Sequence, residues 1–152
     1  MSIPPNPLLS HALSYAARGW RVFPAIPKGK RPLIKRWQHE ASTDPAKIMS
    51  WWHRWPNANI AIATGNGLLV LDCDYDSGGA LSLRQLREIA PLPKAPIADT
   101  ARGCHFYFSN EMGLRNRAGL LPGLDLRGDG GFVIAPPSIH PSGLAYSWGV
   151  AP

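Results

Sequence analysis

Two aspartates, Asp72 and Asp74, follow the apolar run 68–71 and are the residues best suited to chemistry. On a β-strand, side chains two positions apart project from one face, so both carboxylates would share a face while Leu71 and Cys73 project from the other. At about 6 Å and an effective dielectric constant of 20, two carboxylates repel each other by roughly 3 kcal/mol. Mg²⁺ or Mn²⁺ would remove that repulsion, since these ions prefer oxygen ligands and keep positions for water and phosphates. The alternative is that these aspartates begin a turn with Asp76.

Two later segments repeat this alternation and add further polar groups in matching positions. Residues 104–108 place His105 and Tyr107 on the polar side and the cysteine and phenylalanines on the inner side. Residues 124–127 place Asp125 and Arg127 on the polar side and both leucines on the inner side. If the three segments are neighbouring strands, one sheet face is core and the other holds three carboxylates, a histidine and an arginine. That combination predicts a metal and phosphate site. The alternatives are a histidine that bridges backbone groups and a simple ion pair between Asp125 and Arg127.

Cations elsewhere in the chain are candidates for phosphate binding. Arg102 and Gly103 precede His105, so a phosphate could approach the backbone closely and meet a cationic side chain. The segment 28–36 concentrates lysines and arginines between glycine and prolines. Lys30 and Arg31 in it are candidates for contact with a nucleic-acid backbone or a triphosphate. The alternative is a solvated surface, which is the usual fate of a charge run.

Composition restricts the class of protein. The chain has 152 residues, 45% of them hydrophobic, and a net charge of +6, which fits one domain with a real core and favours polyanionic partners. No apolar run has the roughly 18 residues of a spanning helix, and the first residues lack a signal-peptide pattern, so we expect a cytoplasmic protein that does not enter a membrane.

Cys73 and Cys104 form no zinc or disulfide motif and are expected to be packed thiols. The glycine-rich turn 128–131 does not lead from a strand into a helix and is no nucleotide-binding loop; Asp129 is expected to be a turn residue.

The elements that must position these residues form an α+β fold with helices early and a largely antiparallel sheet late. Helices are expected from Pro7 to just before Gly19, from Asp44–Pro45 to just before Pro56, and over 80–90. Trp51, Trp52 and Trp55 on the second helix are expected to fill a core rather than stack on bases. A hairpin-type turn is expected at 65–67. Strands are expected at 20–24, 59–64, 68–74, 97–100, 104–108, 124–127, 132–135 and 145–148.

In this order the motifs resemble the bifunctional primase/polymerase N-terminal domains of the archaeo-eukaryotic primase superfamily, which occur on plasmids, phages and mobile elements. The resemblance spans nearly the whole chain. Its marks are Gly19-Trp20-Arg21-Val22-Phe23-Pro24, Lys30-Arg31-Pro32, Trp51-Trp52, Asn59-Ile60-Ala61, Leu71-Asp72-Cys73-Asp74, Gly103-Cys104-His105-Phe106-Tyr107-Phe108, Leu124-Asp125-Leu126-Arg127-Gly128, and Ala135-Pro136-Pro137-Ser138 followed by Gly143 and Tyr146.

The resemblance implies roles for particular residues. Asp72, Asp74 and Asp125 match the carboxylates that hold catalytic metal ions, and His105 matches a histidine that contacts the phosphates of the incoming nucleotide. Gly103 departs from the pattern, because relatives often have serine there. Many relatives carry a zinc-binding insertion, and this chain has no cysteine pattern for one, so no zinc is expected.

The resemblance also implies a fold and an activity. The fold is an N-terminal αβ unit packed on a sheet like that of an RNA-recognition motif, as a single catalytic domain over residues 1–152 of a longer protein that carries a helicase or other replication domain. The activity is template-directed nucleotidyl transfer with two Mg²⁺ or Mn²⁺ ions, using nucleoside triphosphates, a single-stranded DNA template and a primer. Arg102 and Arg127 would support His105 at the triphosphate. Two alternatives remain open: a metal-dependent nuclease and a non-catalytic module that binds single-stranded nucleic acid.

Overall fold

Two compact units divide the chain, and the structure, a computed structural model, describes residues 5–152. The first unit runs to Ala63 and takes in Ile134–Tyr146; the second consists of Thr64–Val133 and Ser147–Pro152. Together they contain helices and mostly antiparallel sheets, so the predicted α+β class is confirmed. Within residues 5–152, no helix combines the length and the apolar character needed to cross a bilayer.

The first unit combines helices with a small sheet. Its elements are α1 (Pro7–Ala17), β1 (Val22–Ala25), α2 (Trp37–Glu40), α3 (Pro45–Arg54) and β2 (Asn59–Ala63). β1 and β2 pair antiparallel in a three-stranded sheet of order β1-β2-β8, where β8 is Phe132–Ala135. The side chains of Asn6 and Asp44 accept hydrogen bonds from the first turns of α1 and α3, and a proline follows each of them. Both predicted helix starts are therefore confirmed.

The tryptophans of α3 are divided between core and surface. Trp52 is buried, and its indole N–H donates to the carbonyl of Ala58 at 3.1 Å. Trp51 and Trp55 are partly exposed, and a cation lies over each ring. The expected core role is confirmed for Trp52, whereas its two neighbours are only partly covered.

The second unit is built on a six-stranded sheet of order β6-β7-β3-β5-β4-β9, whose neighbouring strands pair antiparallel. A single 3₁₀ turn, Tyr75–Ser77, joins β3 to α4. The elements are β3 (Leu68–Asp74), α4 (Gly79–Ile89), β4 (Ile97–Asp99), β5 (Gly103–Ser109), β6 (Arg117–Leu121), β7 (Leu124–Arg127) and β9 (Ser147–Val150).

One face of this sheet forms an apolar core together with α4. The buried members of that core are Leu71, Cys73, Leu83, Cys104, Phe106 and Leu124. Apart from Leu83, which belongs to α4, they are residues that the alternation in β3, β5 and β7 assigned to the inner face, so that prediction is confirmed for them. His105 and Tyr107, which were expected to project outward, are nevertheless buried, and Tyr107 packs against Trp148 with ring centroids 5.0 Å apart.

The hairpin-type turn expected at 65–67 is confirmed, but the strands on either side of it, β2 and β3, do not pair with each other. Gly65 and Leu68 exchange N–H···O bonds of 2.7 and 3.1 Å, whereas β2 and β3 belong to different sheets. β5 and β7 occupy the two edges of β3, so no edge of β3 is left for β2. The sequence reasoning missed the short helix α2 and the edge strand β6.

Candidate active site

Asp72 lies at the centre of a row of polar residues across three strands. β3 pairs with β7 on one side and β5 on the other, and Asp72 stands directly opposite Asp125 in β7 and His105 in β5. Residues opposite each other on antiparallel strands lie on the same face. The structure therefore brings together two of the three predicted carboxylates with the predicted histidine.

Arg127 bridges the two carboxylates of this row. Its Nη2 atom lies 3.2 Å from Asp125 Oδ2 and 3.8 Å from Asp72 Oδ2. On the other side, His105 Nε2 lies 3.4 Å from Asp72 Oδ1. Like charges placed directly opposite each other destabilise a sheet, and a cation between them offsets that repulsion. The ion pair predicted as the alternative for Asp125 and Arg127 is present, and it extends to Asp72.

The row is open to solvent on the carboxylate side. The side chains of Asp72 and Asp125 are 30% and 35% exposed, whereas that of His105 is 9% exposed. Partial exposure leaves the carboxylates accessible to a ligand. It also weakens their ion pairs, because solvent screens the charges. His105 is the fixed, buried end of the row.

Asp125 has a further contact that the sequence did not predict. The backbone N–H of Gly119 donates to Asp125 Oδ1 at 2.8 Å, at an irregularity where the pairing of β6 with β7 shifts register. Gly119 has φ = +64°, a left-handed conformation that glycine adopts without strain. β6 had not been recognised as a strand, so this donor was missed.

Asp74 combines both interpretations considered for it. It ends β3 two positions from Asp72, and its Oδ1 atom accepts a hydrogen bond of 3.0 Å from the N–H of Asp76. The residue thus belongs to the strand and also caps the 3₁₀ turn that follows. Since a carboxylate has about four lone-pair positions, one such bond leaves Asp74 able to bind a cation.

The carboxylate oxygens of this row have the chemistry that a hard cation prefers, but the side chains do not form a preassembled metal site. Paired carboxylate oxygens are the ligands that Mg²⁺ and Mn²⁺ prefer. Across residues 5–152, no set of three or more His, Cys, Asp or Glu side chains is arranged so that it could hold a metal ion. Between Asp72 and Asp125, the cationic group in this structure is the Arg127 guanidinium.

The remaining predicted residues lie outside this row. Arg102 is exposed in the turn before β5, and its carbonyl accepts a bond of 2.9 Å from the N–H of Tyr75. Lys30 and Arg31 belong to the first unit, where both are exposed on a turn closed by a bond of 2.8 Å from Ile26 N–H to the Arg31 carbonyl. Asp129 lies in a turn closed by a bond of 3.1 Å from Gly131 N–H to the Gly128 carbonyl, which confirms it as a turn residue. Its carboxylate also accepts a hydrogen bond from Asn66 N–H at 3.2 Å.

Cys73 and Cys104 face each other on the core side of the same strands. They are directly opposite in register, both are buried free thiols, and the Tyr75 hydroxyl donates to Cys104 Sγ at 3.4 Å. Burial raises the pKa of Cys73 to about 12 and also raises the pKa of Cys104. Both are therefore packed thiols, as predicted, and they remain protonated at neutral pH.

Comparison with known proteins gives one family. The model of the family described as "bifunctional DNA primase/polymerase, N-terminal" matches residues 12–152. This range contains the whole polar row and the basic turn of the first unit. No curated protein matches the chain.

Proposed function

The chain belongs to the bifunctional DNA primase/polymerase N-terminal family, and from this membership we propose that it catalyses template-directed nucleotidyl transfer at the row of Asp72, Asp125 and His105. Membership supports primase/polymerase chemistry in general. The observation that carries the assignment to this site is the register that sets Asp72 opposite both Asp125 and His105 on one sheet face. Phosphoryl transfer depends mostly on positioning and charge compensation, and adjacent carboxylates beside cationic side chains suit that task.

Asp72 and Asp125, with Asp74 at the end of the strand, would hold two divalent ions that supply Lewis-acid activation of a 3′-hydroxyl and compensation of phosphate charge. His105 Nε2 lies 3.4 Å from Asp72 Oδ1, and burial in the sheet restricts the motion of the ring. In the proposed reaction, His105 would contact the phosphates of the incoming nucleotide. Arg127 and the exposed Arg102 would add guanidinium donors to the triphosphate.

The direct test is extension of a labelled primer on a DNA template with Mg²⁺ or Mn²⁺ and nucleoside triphosphates. We expect Asp72→Asn and Asp125→Asn each to lower the rate by about a hundredfold or more, because each removes a charged ligand while keeping the side-chain shape. Asp99→Asn is the matched control, since Asp99 is an exposed aspartate on β4 of the same sheet. Undiminished synthesis by both site variants would contradict the proposal, and shortening of the labelled strand would identify a nuclease instead.

We also propose that Lys30 and Arg31 contact a nucleic-acid backbone. Support comes from their exposure on a closed turn with Lys28 beside them. Each lost contact with a single strand should reduce the slope of log K against log salt by about 0.7, so Lys30→Gln with Arg31→Gln should reduce it by about 1.4. Lys94→Gln with Arg84→Gln removes the same charge from exposed positions of the second unit and should leave the slope nearly unchanged. Equal slopes for the two double variants would contradict this role.

The biological setting is also a proposal, and it rests on the resemblance to the family. We propose a catalytic domain over residues 1–152 of a longer cytoplasmic replication protein from a plasmid, phage or other mobile element, with a helicase or similar domain beside it. Its partners would be nucleoside triphosphates, a primer and a single-stranded DNA template. Sequencing of the complete gene and its neighbours tests this setting directly.

A further inference from the structure

Arg127 occupies the place in the polar row where a bound cation would be most stabilised. Its Nη2 atom lies within 4 Å of one oxygen of Asp72 and one oxygen of Asp125, which face each other across β3 and β7. Two carboxylates in this arrangement attract any cation, and the guanidinium is the one that the protein itself supplies.

We propose that Arg127 is an internal counter-ion that stabilises the metal-free site and must leave its place between Asp72 and Asp125 when a divalent ion binds there. This inference rests on the proposed function, since it assumes that these two aspartates bind the metal. It assigns Arg127 a positioning role in addition to the triphosphate contact expected from the sequence.

The geometry supports an exchangeable rather than a permanent ion pair. The side chain of Arg127 is 29% exposed, its contact with Asp72 is long at 3.8 Å, and it extends from the same strand as Asp125. A partly exposed guanidinium on a flexible chain can rotate toward solvent at small cost, because water replaces its lost partners. Once displaced, it stays attached near the site, where it can bind a phosphate oxygen.

This arrangement has opposite consequences for stability and for metal affinity. Without Arg127, the repulsion between Asp72 and Asp125 is no longer offset, so the metal-free protein should lose stability. For the same reason, a divalent ion no longer competes with a resident cation and should bind more tightly. A residue that merely helped to assemble the metal site would show the reverse effect on affinity.

The test is a titration of the nucleotide-free protein with Mn²⁺, in which electron paramagnetic resonance measures the concentration of the free ion. We expect Arg127→Gln to bind Mn²⁺ about fivefold more tightly, the change that corresponds to loss of a partly exposed ion pair. Arg117→Gln is the matched control, because it removes the same charge from an exposed position on the neighbouring strand β6. Thermal unfolding without metal should show a lower midpoint for Arg127→Gln than for Arg117→Gln.

Unchanged or weaker Mn²⁺ binding by Arg127→Gln, relative to Arg117→Gln, would overturn the inference while leaving the proposed function intact. If wild-type Mn²⁺ binding does not depend on Asp72 and Asp125, the proposed function fails and the inference fails with it. A measurement on the wild type covers the case in which the variant does not fold: during Mg²⁺ titration, the guanidinium NMR signal of Arg127 should shift while that of Arg117 does not. A stationary Arg127 signal at saturating Mg²⁺ would also overturn the inference.

Discussion

Replacement of Gly103 by alanine should separate the two strands that hold Asp72 and His105. A Cβ atom added at Gly103 would lie 2.9 Å from the carbonyl carbon of Cys73 and closer still to its oxygen. Carbon atoms in ordinary contact are about 3.5–4.0 Å apart, so β5 would have to move from β3 by more than half an ångström. The obstacle is the backbone of a strand paired on both edges, which cannot rotate away as a side chain can.

The expected cost lies at the upper end of the range for overpacking, about 3 kcal/mol in the free energy of unfolding. For a chain of this length, that corresponds to a fall of about 6–12 °C in the midpoint of thermal unfolding, which circular dichroism can measure. Gly149→Ala is the control, because its added Cβ would meet the carboxylate end of Asp99 at 3.0 Å, a side chain that can move aside. Gly149→Ala should cost less than about 1 kcal/mol. A Gly103→Ala midpoint no lower than that of Gly149→Ala would refute the reasoning.

Two further predictions concern the contacts of the second unit. Gly119→Val and Gly113→Val should lose similar stability, about 1–2 kcal/mol, because the two glycines have φ values of +64° and +65° and open space around an added Cβ. Of these two variants, we expect Gly119→Val to weaken Mn²⁺ binding, since its N–H holds Asp125, and equal Mn²⁺ affinities would contradict the role given to that bond. The free energy of unfolding should also fall as pH rises from about 9 to 12, because the unfolded Cys73 thiol ionises near 9 whereas burial keeps it protonated to about 12 in the folded protein. Urea unfolding across this range should show a smaller fall when Cys73 and Cys104 are both replaced by alanine, and an unchanged fall would contradict the assignment.

Local signals in the sequence were sufficient for the longer helices and the core face of the sheet. Asn6 and Asp44 each precede a proline and cap a helix through bonds that span two residues, so no distant contact is needed to specify them. Likewise, alternation in Leu68–Asp74 assigns each side chain to a face whatever strands lie beside it.

The choice of strand partners could not be read in the same way. The Gly-Asn-Gly sequence at 65–67 specifies that the chain reverses direction, but whether the flanking strands then pair depends on competition for the edges of β3. β6 (Arg117–Leu121) is an exposed edge strand with glycine in its interior and no clear alternation, so it has little strand signal of its own. The Gly119 contact with Asp125 was hidden for that reason.

Register is the property that turns a polar strand face into a candidate site, and it depends on contacts between distant parts of the chain. A slip of β7 by one residue against β3 would place Leu124 or Leu126 opposite Asp72, and it would move a leucine onto the polar face. Burial of Leu124 in the core under α4 makes such a slip costly. The apolar residues that flank the carboxylates along β3 and β7 therefore hold Asp72 and Asp125 opposite each other against their mutual repulsion. The core residue Leu124 is in this sense part of the site, because it fixes the charge arrangement that Arg127 or a metal ion then neutralises.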